Sequence, residues 1–436
     1  MSLAWLGMLS AAAAVLLVAA YGVGAPFLLL RTLLLRARQR RLRYRGPEDD
    51  VLATSRFTIP VSLIVPVEGP DAPSRVRELL HLRYSEVEVI AVTADAAALD
   101  GLRDEFELNA AEVFYRRSLA SGQVRRMFRS GADPRLLVVE PDAETVGARL
   151  NAGINLARNR YIAIVDVPAR FNPDALLEAM HAALEDPQRV VGATTSVAVA
   201  SPEPAESALN TTLQTGLAAA LRYLRAARSR LLTIGRRRLD LPPGGCPGFT
   251  IWRRDVVVDL GGFAPEETAA SADLLFRVHR HFRGDRRRYR VVHVNEPVGT
   301  VEPDVAERLV RSAGVPARLI WRHRGMLFNP ALGRLGLWDL PRYAFNQLVA
   351  PWIELAALLL LVPAVPLGVL SAGQLLLVLF VVGLGNGVLI ASALLLNHAV
   401  GGPPARPAAL CNLLLAAPLE YFVSRPALLL ERFRRA

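Results

Sequence analysis

Hydrophobic positions crowd the two ends of this chain and alternate with polar ones in the middle. Leu3 to Leu30 carries no charged side chain. As a helix it would measure about 42 Å, enough to cross a bilayer core of about 30 Å with some tilt. A cleaved signal peptide has a basic start and a shorter apolar run. Met1–Trp5 has no basic residue, so residues 1–30 are expected to be a transmembrane helix. Near the other end, Leu348–Leu370 and Gln374–Leu396 read as two spans joined at Ser371-Ala372-Gly373, a helical hairpin within residues 348–396. Glu354 lies early in that hairpin, either snorkelling to the interface or facing a cavity or helix partner. Gly401-Gly402-Pro403-Pro404 breaks the pattern. Ala408–Phe422 is apolar but short and interrupted by Pro418 and Glu420. Residues 397–436 are therefore expected to form an interfacial or re-entrant helix with a basic tail.

Between the ends, residues 57–330 alternate strand-type and helix-type periods. Val61–Val67, Val87–Val92, Leu136–Val139, Tyr161–Val165 and Val190–Ala200 read as strands, with helices over Ser74–Leu82 and Gly147–Arg158. Strand, helix, strand at this spacing predicts a parallel α/β sheet. In such sheets ligands sit at the carboxyl ends of the strands, where Asp166 falls.

Composition sharpens this layout. The 436 residues are 52% hydrophobic yet carry a formal net charge of +11. No lysine occurs, so all 51 basic residues are arginine, and lysine-dependent Schiff-base or phosphate-binding chemistry is excluded. Cys246 and Cys411 are too few for a disulfide framework or a four-cysteine zinc site. Arg31, Arg36, Arg38, Arg40, Arg41, Arg43 and Arg45 precede the first acid, Glu48. The positive-inside rule then places the N-terminus outside and the middle domain in the cytoplasm, with residues 31–56 a basic juxtamembrane linker. Only Tyr44 interrupts these arginines and no DNA-binding motif accompanies them, so they point to anionic lipid and not to nucleic acid.

Several segments match a known pattern. They are Val61–Val67, Leu150-Asn-Ala-Gly-Ile-Asn-Leu-Ala-Arg158, Tyr161–Asp166, Asn172–Leu177, Phe249–Asp255, Gly261-Gly-Phe263, Arg277–His281 and Trp321-Arg-His-Arg324. Together with the flanking apolar segments they resemble family 2 glycosyltransferases, in particular the membrane-bound branch of cellulose- and hyaluronan-synthase-like enzymes. The resemblance implies an α/β fold: a cytoplasmic GT-A (Rossmann-like) domain over residues 57–330. That domain would sit between the N-terminal transmembrane helix and the C-terminal hairpin plus interfacial helix, with residues 331–347 an interfacial connector. It implies a multi-pass protein of the cell (inner) membrane and a nucleotide-diphospho-sugar ligand.

The chemistry that the resemblance implies needs a divalent cation, Mg²⁺ or Mn²⁺, at the leaving diphosphate and a carboxylate base at the acceptor hydroxyl. The metal motif falls on Asp166-Val167-Pro168, so Asp166 is the metal candidate and the second acid is replaced by proline. The base position falls on Ser271. A serine hydroxyl is not a general base at neutral pH without its own activator. Asp273 lies two residues on, about 200° round a helix, and Glu266 and Glu267 precede it; Asp273 and Glu267 are the substitute catalytic candidates. The acceptor motif places Arg311 near the diphosphate but lacks its glutamine and tryptophan. The family's phosphate-cradling Gly-Gly-Lys reads Glu144-Thr145-Val146. Asp95 and Asn151 complete the substrate-binding candidates, Asp95 as the acid beyond the second strand.

Two functions are consistent with this pattern. One is a non-catalytic pseudo-glycosyltransferase, a partner or scaffold in envelope polysaccharide or glycolipid synthesis. It would use no metal and would work beside an active transferase or export component. The other is a divergent active inverting transferase that moves a sugar from a nucleotide-sugar to a polysaccharide or lipid acceptor with Mg²⁺ or Mn²⁺.

Overall fold

The computed structural model describes residues 3–40, 58–165, 168–200, 221, 224, 247–264, 270–285, 288–302, 304–305, 317–398, 418 and 420–424. Its centre is a ten-stranded sheet. The strands are β1 (Val61–Pro66), β2 (Val87–Val92), β3 (Leu108–Ala110), β4 (Val124–Ser130), β5 (Leu136–Pro141), β6 (Tyr161–Ile164), β7 (Arg170–Phe171), β8 (Val190–Val199), β9 (Pro247–Arg253) and β10 (Arg290–Val301). Their order across the sheet is β3-β4-β5-β2-β1-β6-β9-β8-β10-β7.

The parallel expectation holds at the centre and again between β8 and β10, where Val292 lies opposite Ala193. β5, β2, β1 and β6 run parallel, with Val61 opposite both Val87 and Tyr161. β9 enters antiparallel between β6 and β8, and β3, β4 and β7 add antiparallel pairs at the edges. The central strands are continuous apolar runs because helices cover both faces. The edge strands are short or, like β4, rich in arginine on the outer side, so they lack that pattern.

Alternation along β1 divides the core. Val61, Leu63 and Val65 face the layer that holds Leu79, Leu102, Ala179 and Met180. Ile64 faces the other layer, with Leu150, Ile154, Val257, Phe263 and Leu274. The Val146–Leu156 helix crosses β1 and β2 closely: a Cβ on Gly153 would lie 2.6 Å from Ile64 Cγ2 and 3.2 Å from Val92 Cγ2. Its first turn is capped by Thr145, whose hydroxyl accepts from Ala148 N.

The terminal helices also depart in detail from expectation. The first runs Leu3–Val18, through a π-turn at Ala19–Gly24, into Ala25–Arg40. The arginines up to Arg40 are therefore helical and not linker; the rest of the 31–56 segment lies outside the described residues. The hairpin's first leg is Ala350–Leu361 followed by a 3-10 turn at Val362–Ala364, where Pro363 and Pro366 stop the helix. That leg is shorter than the expected Leu348–Leu370. The second leg, Ala372–His398, begins at the turn itself. Two helical stretches, Trp5–Arg31 and Ala372–Leu394, are long and apolar enough to cross a membrane. Ala13, Ala14, Leu17 and Tyr21 pack with Ala357, Leu361, Val378, Val382 and Tyr421. Tyr21 donates to Glu354, which resolves that acid as a helix-partner contact. Most of Ala408–Phe422 and the basic tail lie outside the described residues.

Candidate functional site

The carboxyl ends of β1, β2, β5 and β6 define the site, because the loops leaving parallel strands open a crevice there. After β1 come Glu68 and Gly69. After β2 comes Asp95, and after β5 the loop that leads into the Val146–Leu156 helix. Asp166, the metal candidate, lies outside the described residues, as do Glu266, Glu267 and Arg311. Pro168 is exposed and offers no side-chain ligand atom. Among the described residues no group of three or more His, Cys, Asp or Glu could hold a metal ion. The described residues therefore do not by themselves make a divalent-cation site.

Asp95 has a local job. Its Oδ1 accepts from Ala97 N at 3.1 Å, capping the Ala96–Phe106 helix, and its Oδ2 accepts from Gly69 N at 2.7 Å. The carboxylate thus staples the β1 loop to the β2 loop. Asn151 is fully buried and spends its amide on the fold. Nδ2 donates to Ala120 O at 2.9 Å and Phe263 O at 2.8 Å, while Oδ1 accepts from Phe263 N at 2.8 Å. Both of its amide N–H groups are used within the fold. Asn155, one turn on, does the same for Ser118, Leu119 and Ser121.

The turn that Asn151 holds is Gly261-Gly262-Phe263. Gly261 and Gly262 take φ of +81° and +75°, the left-handed region that favours glycine. A Cβ on Gly262 would also lie 2.6 Å from Asn151 Oδ1. From the other side Arg277 donates to Leu260 O at 2.5 Å and Gly262 O at 2.6 Å. Arg277 in turn bonds Asp273 Oδ2 at 2.8 Å.

Ser271 and Asp273 share the first turn of the Ala270–Gly284 helix but face different ways. Ser271 is half-buried. Asp273 is 2% exposed, and His323 Nε2 donates to its Oδ1 at 2.8 Å. Burial pushes this carboxyl up, but the His323 hydrogen bond and the Arg277 charge outweigh it and hold the group below the ordinary aspartate range. An acid so occupied is a weak proton acceptor. Asp273 is thus engaged by both partners within the fold. The turn, the Ala270–Gly284 helix and the Trp321-Arg-His-Arg324 segment are tied together by one buried ionic network.

Two residues that sequence reasoning gave no role also stand at the strand ends. Arg149, on the Val146–Leu156 helix, is 8% exposed and its Nη1 bonds the Glu68 carboxylate. Glu68 is largely exposed. The signal available in the sequence was an arginine on the buried face of an apolar helix.

No protein-family model matches the chain, and no curated protein sequence matches it. Solved structures do. A mannosyltransferase, PcManGT from Pyrobaculum calidifontis, solved with GDP-Man and Mn²⁺, superposes with a TM-score of 0.52 at 18% identity, covering 89% of this chain and 99% of that one. Mannosyl-3-phosphoglycerate synthase from Rubrobacter xylanophilus gives a TM-score of 0.37 at 15% identity over 64% and 79% of the two chains. Residues 1–349 of S. aureus TarS give 0.34 at 13% identity over 78% and 92%. The first of these likenesses shows the fold alone, a GT-A-like mixed α/β domain.

Proposed function

We propose that this chain is a membrane-anchored glycosyltransferase-like protein that acts without catalysis, as a partner in envelope polysaccharide or glycolipid assembly. The observation that carries this is the state of the acids beside the base position. Ser271 replaces the expected carboxylate, and the nearest described acid, Asp273, is buried under His323 and Arg277. A transferase of this type needs a carboxylate free to accept the acceptor's proton, and loss of a general base typically costs about 10²–10⁴-fold. Membrane anchoring is supported by the outward apolar faces of the terminal helices, among them Met8, Val15, Phe27, Leu377 and Phe380. Trp338 and Phe345 on the connector are also exposed, as interfacial aromatics are.

The test is turnover. Full-length protein in lipid nanodiscs is incubated with Mn²⁺ and GDP-mannose, the donor class of the mannosyltransferase neighbour, and in parallel with UDP-glucose. The expected result is no release of GDP or UDP above the protein-free rate, with a transferase or export component co-purifying from native membrane. Sustained nucleotide release would replace this function with that of a divergent active inverting transferase, with Glu267 and Asp166 the first residues to substitute.

A further inference from the structure

Arg149 is the buried cation at the carboxyl edge of the parallel strands. Gly153, on the same helix, sits over Ile64 and Val92. Arg149 lies four residues nearer the helix start, about 6 Å along the axis, and so stands beyond the ends of β1 and β2. Its side chain is 10% exposed, while that of Glu68, its partner, is 63% exposed. Its Nη1 holds the Glu68 carboxylate, and its Nε is buried and makes no hydrogen bond among the described residues. The backbone beside Glu68 is anchored, since Gly69 N donates to Asp95 Oδ2 at 2.7 Å, while the Glu68 side chain is left largely in solvent.

A guanidinium offers five N–H donors in a planar fork that matches phosphate as well as carboxylate. Burying that charge with one donor idle is costly unless an anion completes it. Glu68 is the wrong shape for a permanent partner. It comes from a loop, is mostly solvated, and leaves Nε without a bond among the described residues. The chain has no lysine, so a phosphate-binding cation on this edge must be arginine.

We propose that Arg149 is a nucleoside-diphosphate contact and that Glu68 is its exchangeable stand-in, a latch that an incoming diphosphate displaces. The inference rests on the GT-A-like reading of this edge as a nucleotide-sugar pocket. It adds that donor binding is retained, and held weak by Glu68, whether or not transfer occurs.

The test is calorimetry on full-length protein in nanodiscs titrated with GDP, UDP and the corresponding nucleosides. Glu68→Gln is expected to tighten both diphosphates about tenfold by removing the competing charge. Arg149→Gln is expected to weaken them about 10- to 100-fold, and Arg149→Lys to keep part of the binding. Nucleoside affinity should stay the same in all three variants, which separates phosphate recognition from a folding defect. In the double variant Glu68→Gln/Arg149→Gln the gain should vanish. Unchanged diphosphate affinity in Arg149→Gln, or weaker binding in Glu68→Gln, overturns the latch. So does the absence of diphosphate binding in both wild type and Glu68→Gln, although a scaffold that needs no donor would survive that result. Donor turnover by wild type would end the non-catalytic function and leave the latch standing.

Discussion

Ser271 and Asp273 stand two residues apart on one helix, and the helical period gives them different tasks. The sequence placed an acid two positions from the expected base, about 200° round the helix. It did not reveal which way Asp273 faces, because its partner His323 is fifty residues on and Arg277 was legible only as a motif residue. The network makes a stability prediction with a definite sign. Because the folded carboxyl of Asp273 is held below its ordinary range, it contributes stability that is fully present above the unfolded aspartate pKa of about 3.9 and lost as pH falls through its lower folded value. Asp273→Asn should therefore destabilise the domain at neutral pH, by about 1–3 kcal/mol, because the Arg277 guanidinium loses its carboxylate and the His323 contact is weakened. The gap between variant and wild type should narrow once the pH drops below about 4. Denaturant midpoints measured across that pH range would show it; a constant gap would mean that Asp273 acts by packing alone.

At the level of elements, the legible parts were those whose pattern reports double-sided burial. β2 begins and ends where its apolar run does, and β1, β6 and β8 differ from expectation by one residue. The antiparallel edges were not legible. β3 and β7 are three and two residues long, too short to show a period, and β4 is an arginine-rich outer strand steadied by pairs such as Arg126–Glu140 and by Arg103 lying 4.9 Å over Phe128. Nor did the sequence show that Asn151 would be a fold residue, since its partners, Ala120 and Phe263, come from loops 31 and 112 positions away. The helix that carries Asn151 and Arg149 depends on close approach at Gly153. Gly153→Ala should force the helix off β1, at about 1–3 kcal/mol for overpacking, and should loosen the Gly261–Phe263 turn that Asn151 holds. Thermal unfolding checks the first effect, and faster proteolysis near residue 262 checks the second. An unchanged melting temperature would mean that Ile64 shifts aside without cost.

For the whole molecule, two helical stretches are long and apolar enough to cross a membrane, and their outward surface makes the proposed anchoring testable. The Ala372–His398 helix is lined on one side by Val378, Val382, Leu389 and Ile390, all buried. On the other it exposes Leu376, Leu377, Phe380 and Leu384, at 57–67%. A water-soluble helix pays little for a charge at such an exposed position, within about 0.5 kcal/mol. A spanning helix pays about 2.5–3.5 kcal/mol for arginine near its centre, and Leu384 is near the middle of the Ala372–Leu394 span. The polar contacts inside the bundle fit a membrane as well: Tyr21 with Glu354 and Asn386 with Glu420 each join two segments and are turned away from the apolar outer face. Leu384→Arg should therefore lower the fraction of protein that stays in the membrane pellet after alkaline extraction. Ser74→Arg, an exposed change on the domain's Ala72–Leu80 helix, should leave that fraction unchanged. Equal retention of the two variants would place Leu384 in water and remove the membrane from the proposed function.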